Sequence, residues 1–308
     1  MSEERNKISR NEIRDALLRS GYLLESRVES LLREHWGYVE TNASYQDPDT
    51  GKSRELDVYS MAAVKAGPAE YDFVFAVLLV ECVNNPQPIA LLTKEPLTPF
   101  LHHHDVKIAG LPVKIRVGGR NSWQGLADFL GMENYHHYCQ GRVATQYCSF
   151  SGKKGGSQKE WFATHEGSHF DTLKKLCDST DYFQDRHFKS WRFAEKEWVN
   201  VEFYYPLLIV QGELLDARVG KSTVTLKRAA HLQFRRSAVM GGKEEHYQID
   251  VIEERYLSKY LEIVDRELEK TARLLRRRHK AVRDAVDQIV RRARRLRSIE
   301  RIRREMEF

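Results

Sequence analysis

Two carboxylates, Asp57 and Glu81, stand where strands rarely carry charge. Asp57 lies inside Arg54-Glu55-Leu56-Asp57-Val58-Tyr59-Ser60, whose alternation puts Leu56, Val58 and Ser60 on one side of an extended strand and Glu55, Asp57 and Tyr59 on the other. Glu81 follows the run 73–80, which is apolar on both faces like a central buried strand, and marks the point where that strand meets solvent. Acids on neighbouring strands repel unless a positive charge lies between them. A hard divalent cation with oxygen ligands is the usual partner, so the chemistry expected is that of a magnesium-type site. The alternative reading is a pair of separate, solvated strand-end acids.

Elements on either side can position these acids. Apolar residues recur at steps of three and four from about Asn11 to Trp36, with a break at Gly21, and predict two helices. Glu25 and Glu29 share a face of the second helix, one turn apart. A β-prone stretch at 37–45 and the turn formers Asp47-Pro48-Asp49-Thr50-Gly51 predict a hairpin-like connection that brings Tyr45 near the Asp57 strand.

The series Tyr22-Leu23-Leu24-Glu25, the turn at 45–51, Arg54-Glu55-Leu56-Asp57 and Leu79-Val80-Glu81-Cys82 resembles, in order and spacing, the PD-(D/E)xK nuclease superfamily. The resemblance covers roughly the first third of the chain. It implies an α/β, restriction-endonuclease-like fold with a mixed central sheet flanked by helices, and metal-dependent hydrolysis of DNA phosphodiester bonds. By the same resemblance Glu25 is the first-helix acid, Asp57 and Glu81 bind Mg²⁺ or Mn²⁺, and the carbonyl of Cys82 is a further ligand. The chain departs from the family at one position: Val83 stands where the motif lysine belongs, two residues after Glu81. The cation must then come from elsewhere, with Lys52, Arg54 and Lys94 as candidates, or the protein is a catalytically degenerate nuclease-fold module that binds nucleic acid or scaffolds an assembly.

Beyond the core motifs, prolines at 86, 88, 96, 99 and 112 predict an irregular lobe, and Trp123 to Leu130 a short helix. Tyr147-Cys148-Ser149-Phe150 is strand-like, Lys153-Lys154-Gly155-Gly156 reads as a loop, and a helix is expected from Gln158 to about Cys177. Strands are expected at 203–210, 231–235 and 247–252. His165-Glu166-Gly167-Ser168-His169 is a literal HExxH, the pattern of zinc metalloproteases, although Gly167 and Ser168 weaken the helix that such a site needs. His102-His103-His104 with Asp105 reads as solvated histidines in a loop, since successive side chains diverge. Trp191, Trp198, Tyr204 and Tyr205 beside Lys189, Arg192 and Lys196 have the residue types of a base-stacking surface, and core aromatics next to surface cations are the default reading.

Charge is distributed unevenly along the chain. Residues 266–308 carry 16 Lys and Arg against 7 Asp and Glu, a net +9, while the whole chain of 308 residues is +6 and the rest is therefore −3. No Gly or Pro occurs from Glu253 onward, and Leu261, Val264, Leu268, Leu275, Val282, Val286, Ile289, Ala293, Leu296 and Ile302 keep close to a seven-residue rhythm. Residues 1–252 are thus expected to form the nuclease domain and 253–308 a long, basic, heptad-like helix or helical pair. Arg276, Arg277, Arg278, Arg291, Arg292, Arg294 and Arg295 are its candidate nucleic-acid contacts; the apolar seam alternatively serves a homo-oligomer or partner helix. Cys82, Cys139, Cys148 and Cys177 form no CxxC pair, and no apolar run reaches membrane-spanning length, so reduced thiols, a cytoplasmic setting and no membrane partner are expected.

Overall fold

Alternation of apolar and polar residues produces the strands of this protein, and one large mixed sheet gathers most of them. In the computed structural model, which describes residues 7–118, 122–155, 158–164, 167–189, 198–220, 223–240 and 243–306, the order begins α1 (Arg10–Arg19), α2 (Tyr22–Trp36), β1 (Tyr38–Gln46), β2 (Ser53–Lys65) and β3 (Phe73–Val83). The lobe that follows holds β4 (Ile89–Lys94), β5 (Lys107–Leu111), β6 (Lys114–Arg116), β7 (Trp123–Gly125), α3 (Leu126–Leu130), β8 (Val143–Gly155) and β9 (Gln158–Thr164). Then come α4 (Gly167–Lys189), β10 (Asn200–Val210), β11 (Leu214–Val219), β12 (Val224–Ala229), β13 (His231–Met240), β14 (Lys243–Glu253), α5 (Leu257–Arg277) and α6 (His279–Met306).

The main sheet runs β1-β2-β3-β10-β14-β13-β8-β4-β11-β12, with β5 paired to β10 and β9 to β8. Strands β1, β2 and β3 form an antiparallel meander, and β10 lies parallel to β3 with Tyr204 opposite Val77. A parallel neighbour demands a crossover, and α4 supplies the helix before β10. β3 is the most buried strand of the meander: Val77, Leu78, Leu79 and Val80 are all at 0% exposure. Burial of each such side chain stabilises by about 1.5–3 kcal/mol.

Two apolar layers cover the sheet. One holds Leu24, Val28 and Leu32 of α2 with the apolar stripe of α5 and α6; the other holds Leu173, Leu176, Cys177 and Phe183 of α4. α1 starts at a capping box in which the Ser9 hydroxyl accepts from the Glu12 N–H and the Glu12 carboxylate accepts from the Ser9 N–H. It ends at Ser20, and the break at Gly21 separates it from α2 as the periodicity requires.

Several sequence expectations change at this level. The seven-residue rhythm of 253–308 does not stand apart from the domain: Leu257, Leu261, Val264, Leu268, Leu275, Val282 and Val286 are buried in the same layer as α2, so a boundary at 252/253 cuts through the core. An amphipathic stripe fits a sheet as well as a partner helix: α5 meets β2 and β3, and α6 meets β6, which pairs with β7 in a separate two-stranded sheet. The helix also breaks at Arg278, where the guanidinium donates to the Phe129 carbonyl and lies 4.8 Å from that ring. The helix expected from Gln158 is instead β9 followed by α4, and Trp161, Phe162 and Phe170 are exposed rather than packed on the sheet. Lys153 to Gly155 belong to β8, while Gly156 lies outside the described residues.

Candidate metal and phosphodiester site

Asp57 and Glu81 reach one ammonium, and Glu25 comes near enough to feel the Asp57 charge. Asp57 sits at an irregularity shared by β1 and β2: Asn42 has φ 52°, and the register passes from Thr41–Val58 to Ala43–Leu56 without pairing the residues between. The side-chain alternation changes phase there. Val58 packs with the α2 layer and Leu56 with the α4 layer, although regular alternation places them on one side. Freed from the ladder, the Asp57 carboxylate accepts the N–H of Cys82 at 2.7 Å across the strand pair. Glu81 is one step beyond Val80, the partner of Val58, and alternates with Leu79 toward the α4 layer. α2 brings Glu25 in its first turn, and Asn84, just past β3, donates to the Ser20 carbonyl at 3.0 Å, tying the end of β3 to the α1–α2 junction.

The cation comes from α4. Lys175 Nζ donates to Glu81 Oε2 at 2.6 Å and lies 3.9 Å from Asp57 Oδ1. Its stem rises from the helical turn whose Leu173 and Leu176 are fixed in the core, so the ammonium is held by packing. None of Lys52, Arg54 and Lys94 occupies that place: Arg54 pairs with Asp47, and Lys94 ends β4 on the far side of the sheet order. Val83 packs against the α4 layer, where a lysine stem would have to replace apolar contact.

One ammonium does not balance three acids. Burial, and after it the Asp57 charge, pushes the Glu81 carboxyl up to about 8 despite the Lys175 contact. Burial also raises Asp57, opposed by the Cys82 N–H and Lys175. Glu25 is raised by burial and then by Asp57, with Lys175 opposing. Glu81 Oε1 and the Tyr45 hydroxyl are buried without a hydrogen-bond partner among the described residues. Burial, followed by the charges of Asp178 and Glu81, pushes the Tyr45 phenol up, so it keeps its proton. An excess of anionic oxygen with an orphaned carboxylate atom fits a hard divalent ion. Asp57 and Glu81 are the residues that would hold it; Glu25 feels the Asp57 charge, but the three acids do not bring their oxygens as close together as the histidine-containing clusters of the molecule do. The Cys82 thiol is raised well above its ordinary value, first by burial and then by Asp57, and is no nucleophile.

A second buried cluster lies on the opposite, α5-side layer. His137 donates from Nδ1 to Glu267 at 3.0 Å and from Nε2 to Asp250 Oδ2 at 2.9 Å. Asp250 also accepts from His231 at 2.7 Å and from the Tyr260 hydroxyl at 2.7 Å. His136 stacks on His137 with ring centroids 4.9 Å apart. The sequence reading missed this cluster, because its members come from four elements, a 3-10 turn, β13, β14 and α5, and only the His136-His137 pair is visible as a motif.

The remaining candidates fall as follows. His102 and His103 are buried, not solvated, in a 3-10 turn, and Asp105 pairs with Arg235 at 2.7 Å. His165 and Glu166 of the HExxH pattern lie outside the described residues, as do Trp191, Arg192 and Lys196. Tyr204 and Tyr205 are core residues. Arg276, Arg277, Arg278, Arg291, Arg292, Arg294 and Arg295 are exposed; Arg276 donates to the Lys65 carbonyl. No helix among the described residues is long and apolar enough to cross a membrane. Compared with protein-family models, with curated proteins and with solved structures, the chain matches none of them.

Proposed function

We propose that this protein is a metal-dependent nuclease of restriction-endonuclease-like architecture, hydrolysing DNA phosphodiester bonds, in which Lys175 on α4 does the work of the lysine that the strand motif lacks. The observation that carries the reading is the Lys175 ammonium set between Glu81 and Asp57 at 2.6 and 3.9 Å. It is supported by the chain order α2-β1-β2-β3, which matches the helix-strand-strand-strand order of the resemblance.

Asp57 and Glu81 would hold Mg²⁺ or Mn²⁺, with Glu25 and the Cys82 carbonyl beside them. The ion, when bound, supplies Lewis-acid polarisation of the phosphate and lowers the pKa of water. The protein's own groups do the rest. Lys175 faces the negative charge that grows on the phosphate oxygens and can yield a hydrogen bond to the attacking water. Glu25, whose carboxyl is raised by burial and then by the Asp57 charge, orients that water. The exposed arginines of α5 and α6 form a separate cationic surface: Arg276 donates to the Lys65 carbonyl, at the other end of β2 from Asp57.

Cleavage of plasmid and single-stranded DNA with Mg²⁺ or Mn²⁺ tests the reading. Wild type should cleave, chelator or Asp57→Ala should abolish cleavage, and Lys175→Ala should lower the rate on the order of 100-fold. Val83→Lys should add nothing to wild type yet restore part of the rate lost in Lys175→Ala, since it returns a cation to the face of Glu81. A folded wild type that binds DNA without turnover in either metal replaces the enzyme by a binding module.

A further inference from the structure

We propose a second metal site, for a zinc-class transition ion, formed by His103 Nε2, His104 Nε2 and the Asp128 carboxylate at the rim of a cleft of about 1150 Å³. The site is independent of the nuclease reading and lies on other elements. His103 and His104 occupy the 3-10 turn Pro99–Asp105, and Asp128 lies in α3.

Hydrogen-bond direction carries the inference. His103 Nδ1 lies 2.5 Å from the Phe100 carbonyl, which can only accept, so the proton is on Nδ1. In the neutral ring Nε2 then presents a lone pair, and it faces Asp128 Oδ1 at 2.7 Å. A cation placed between the two atoms would accept both lone pairs. The His103 ring is 4% exposed, and the His104 ring lies 4.1 Å from it. His104 aims its own Nε2 at the same Asp128 oxygen, 3.6 Å off. Successive side chains normally diverge; here two imidazoles converge on one carboxylate.

One divalent ion satisfies all three donors. A histidine whose remote N–H is tied to a backbone carbonyl is the arrangement that orients an imidazole as a ligand. Two nitrogens and one oxygen suit zinc, cobalt or nickel better than magnesium. Tetrahedral bonds of about 2.0–2.1 Å need the donor atoms roughly 3.3 Å apart, so His103 Nε2 and Asp128 Oδ1, now 2.7 Å apart, must part by about 0.6 Å. Half-exposed His104 sits on the open side, leaving the fourth position to water or to a small anion in the cleft.

The test is cobalt and zinc titration of the full chain after chelator dialysis, in the Asp57→Ala background so that the acid site does not contribute. Bound metal is counted by mass spectrometry, and histidine ligation is read from the cobalt d–d spectrum. One equivalent with a nitrogen-ligated spectrum is expected. His104→Ala, at an exposed position that folding tolerates, and Asp128→Asn should each weaken binding at least about 10-fold. Circular dichroism checks that both remain folded. Absence of cobalt binding in a folded parent, or affinity unchanged in both variants, overturns the proposal; the latter moves the ion to the His137 cluster.

Discussion

Two buried charge clusters flank the same sheet, and they are wired in opposite ways. On the α5 side the carboxylates of Asp250 and Glu267 close around His137, and each of their four oxygens has a donor. Burial disfavours the charged ring, but Asp250 and Glu267 overcome it and push His137 up to about 10. Asp250 is correspondingly held far below the carboxylate range; burial opposes this, and the His137 charge and hydrogen bond outweigh it. On the α4 side Glu25, Asp57 and Glu81 share one ammonium, all three carboxyls are raised, and one oxygen of Glu81 has no partner. A cluster whose carboxylates are all hydrogen-bonded fixes α5 against the sheet, and on that side a buried atom without a hydrogen-bond partner among the described residues is on a ring, His136 Nε2. An unsatisfied cluster retains the free energy that a cation would release, and such frustration marks functional sites more often than structural ones.

The largest effect expected from this contrast is in stability. His137→Ala leaves two buried carboxylates facing each other, and should cost about 3–5 kcal/mol in urea denaturation. Glu81→Gln removes a charge the fold resists, and should leave stability unchanged or raise it by at most a few kcal/mol. Equal losses in the two variants would erase the distinction between the clusters.

The pH dependence sharpens the comparison further. The folded-state value of Glu81 is raised from 4.5 to about 8, so the protonated acid favours the fold below about 4.5 and this advantage is lost as pH rises toward 8. His137 is raised from 6.5 to about 10; its contribution is full below 6.5 and is lost between there and 10. The melting-temperature difference between Glu81→Gln and wild type should therefore grow between pH 4.5 and 8. The difference for His137→Ala should shrink only above 6.5. Identical windows would mean that the two clusters share one titration.

A smaller effect follows from ligand linkage. Mg²⁺ at 100 times its dissociation constant should stabilise wild type by about 2.7 kcal/mol, and the gain should vanish in Asp57→Ala but persist in His137→Gln. Smallest of all is the Val83→Lys change in the wild-type background. It places an ammonium stem into the α4 layer and should cost about 1–3 kcal/mol with no gain in rate.

Local chemistry wrote much of this molecule into the chain. The apolar runs at 73–80 and 203–210 became β3 and β10, Gly21 separated α1 from α2, and the 47–51 turn closed the β1–β2 hairpin, because period and turn propensity act over a few residues. Asp57 and Glu81 were legible for the same reason: a charge in an apolar strand is an anomaly at sequence range. Lys175 was not, because 94 residues separate it from Glu81 and nothing in Leu173-Lys174-Lys175-Leu176 distinguishes one lysine from its neighbour. The helix phase relative to the sheet decides which of them faces the acids: Lys174 pairs with Asp49 and Asp178, and Lys175 with Glu81. The fate of the heptad stripe was likewise a tertiary matter. Apolar periodicity specifies that a face must be buried but not against what, and here strands took it, β2 and β3 for α5 and β6 for α6.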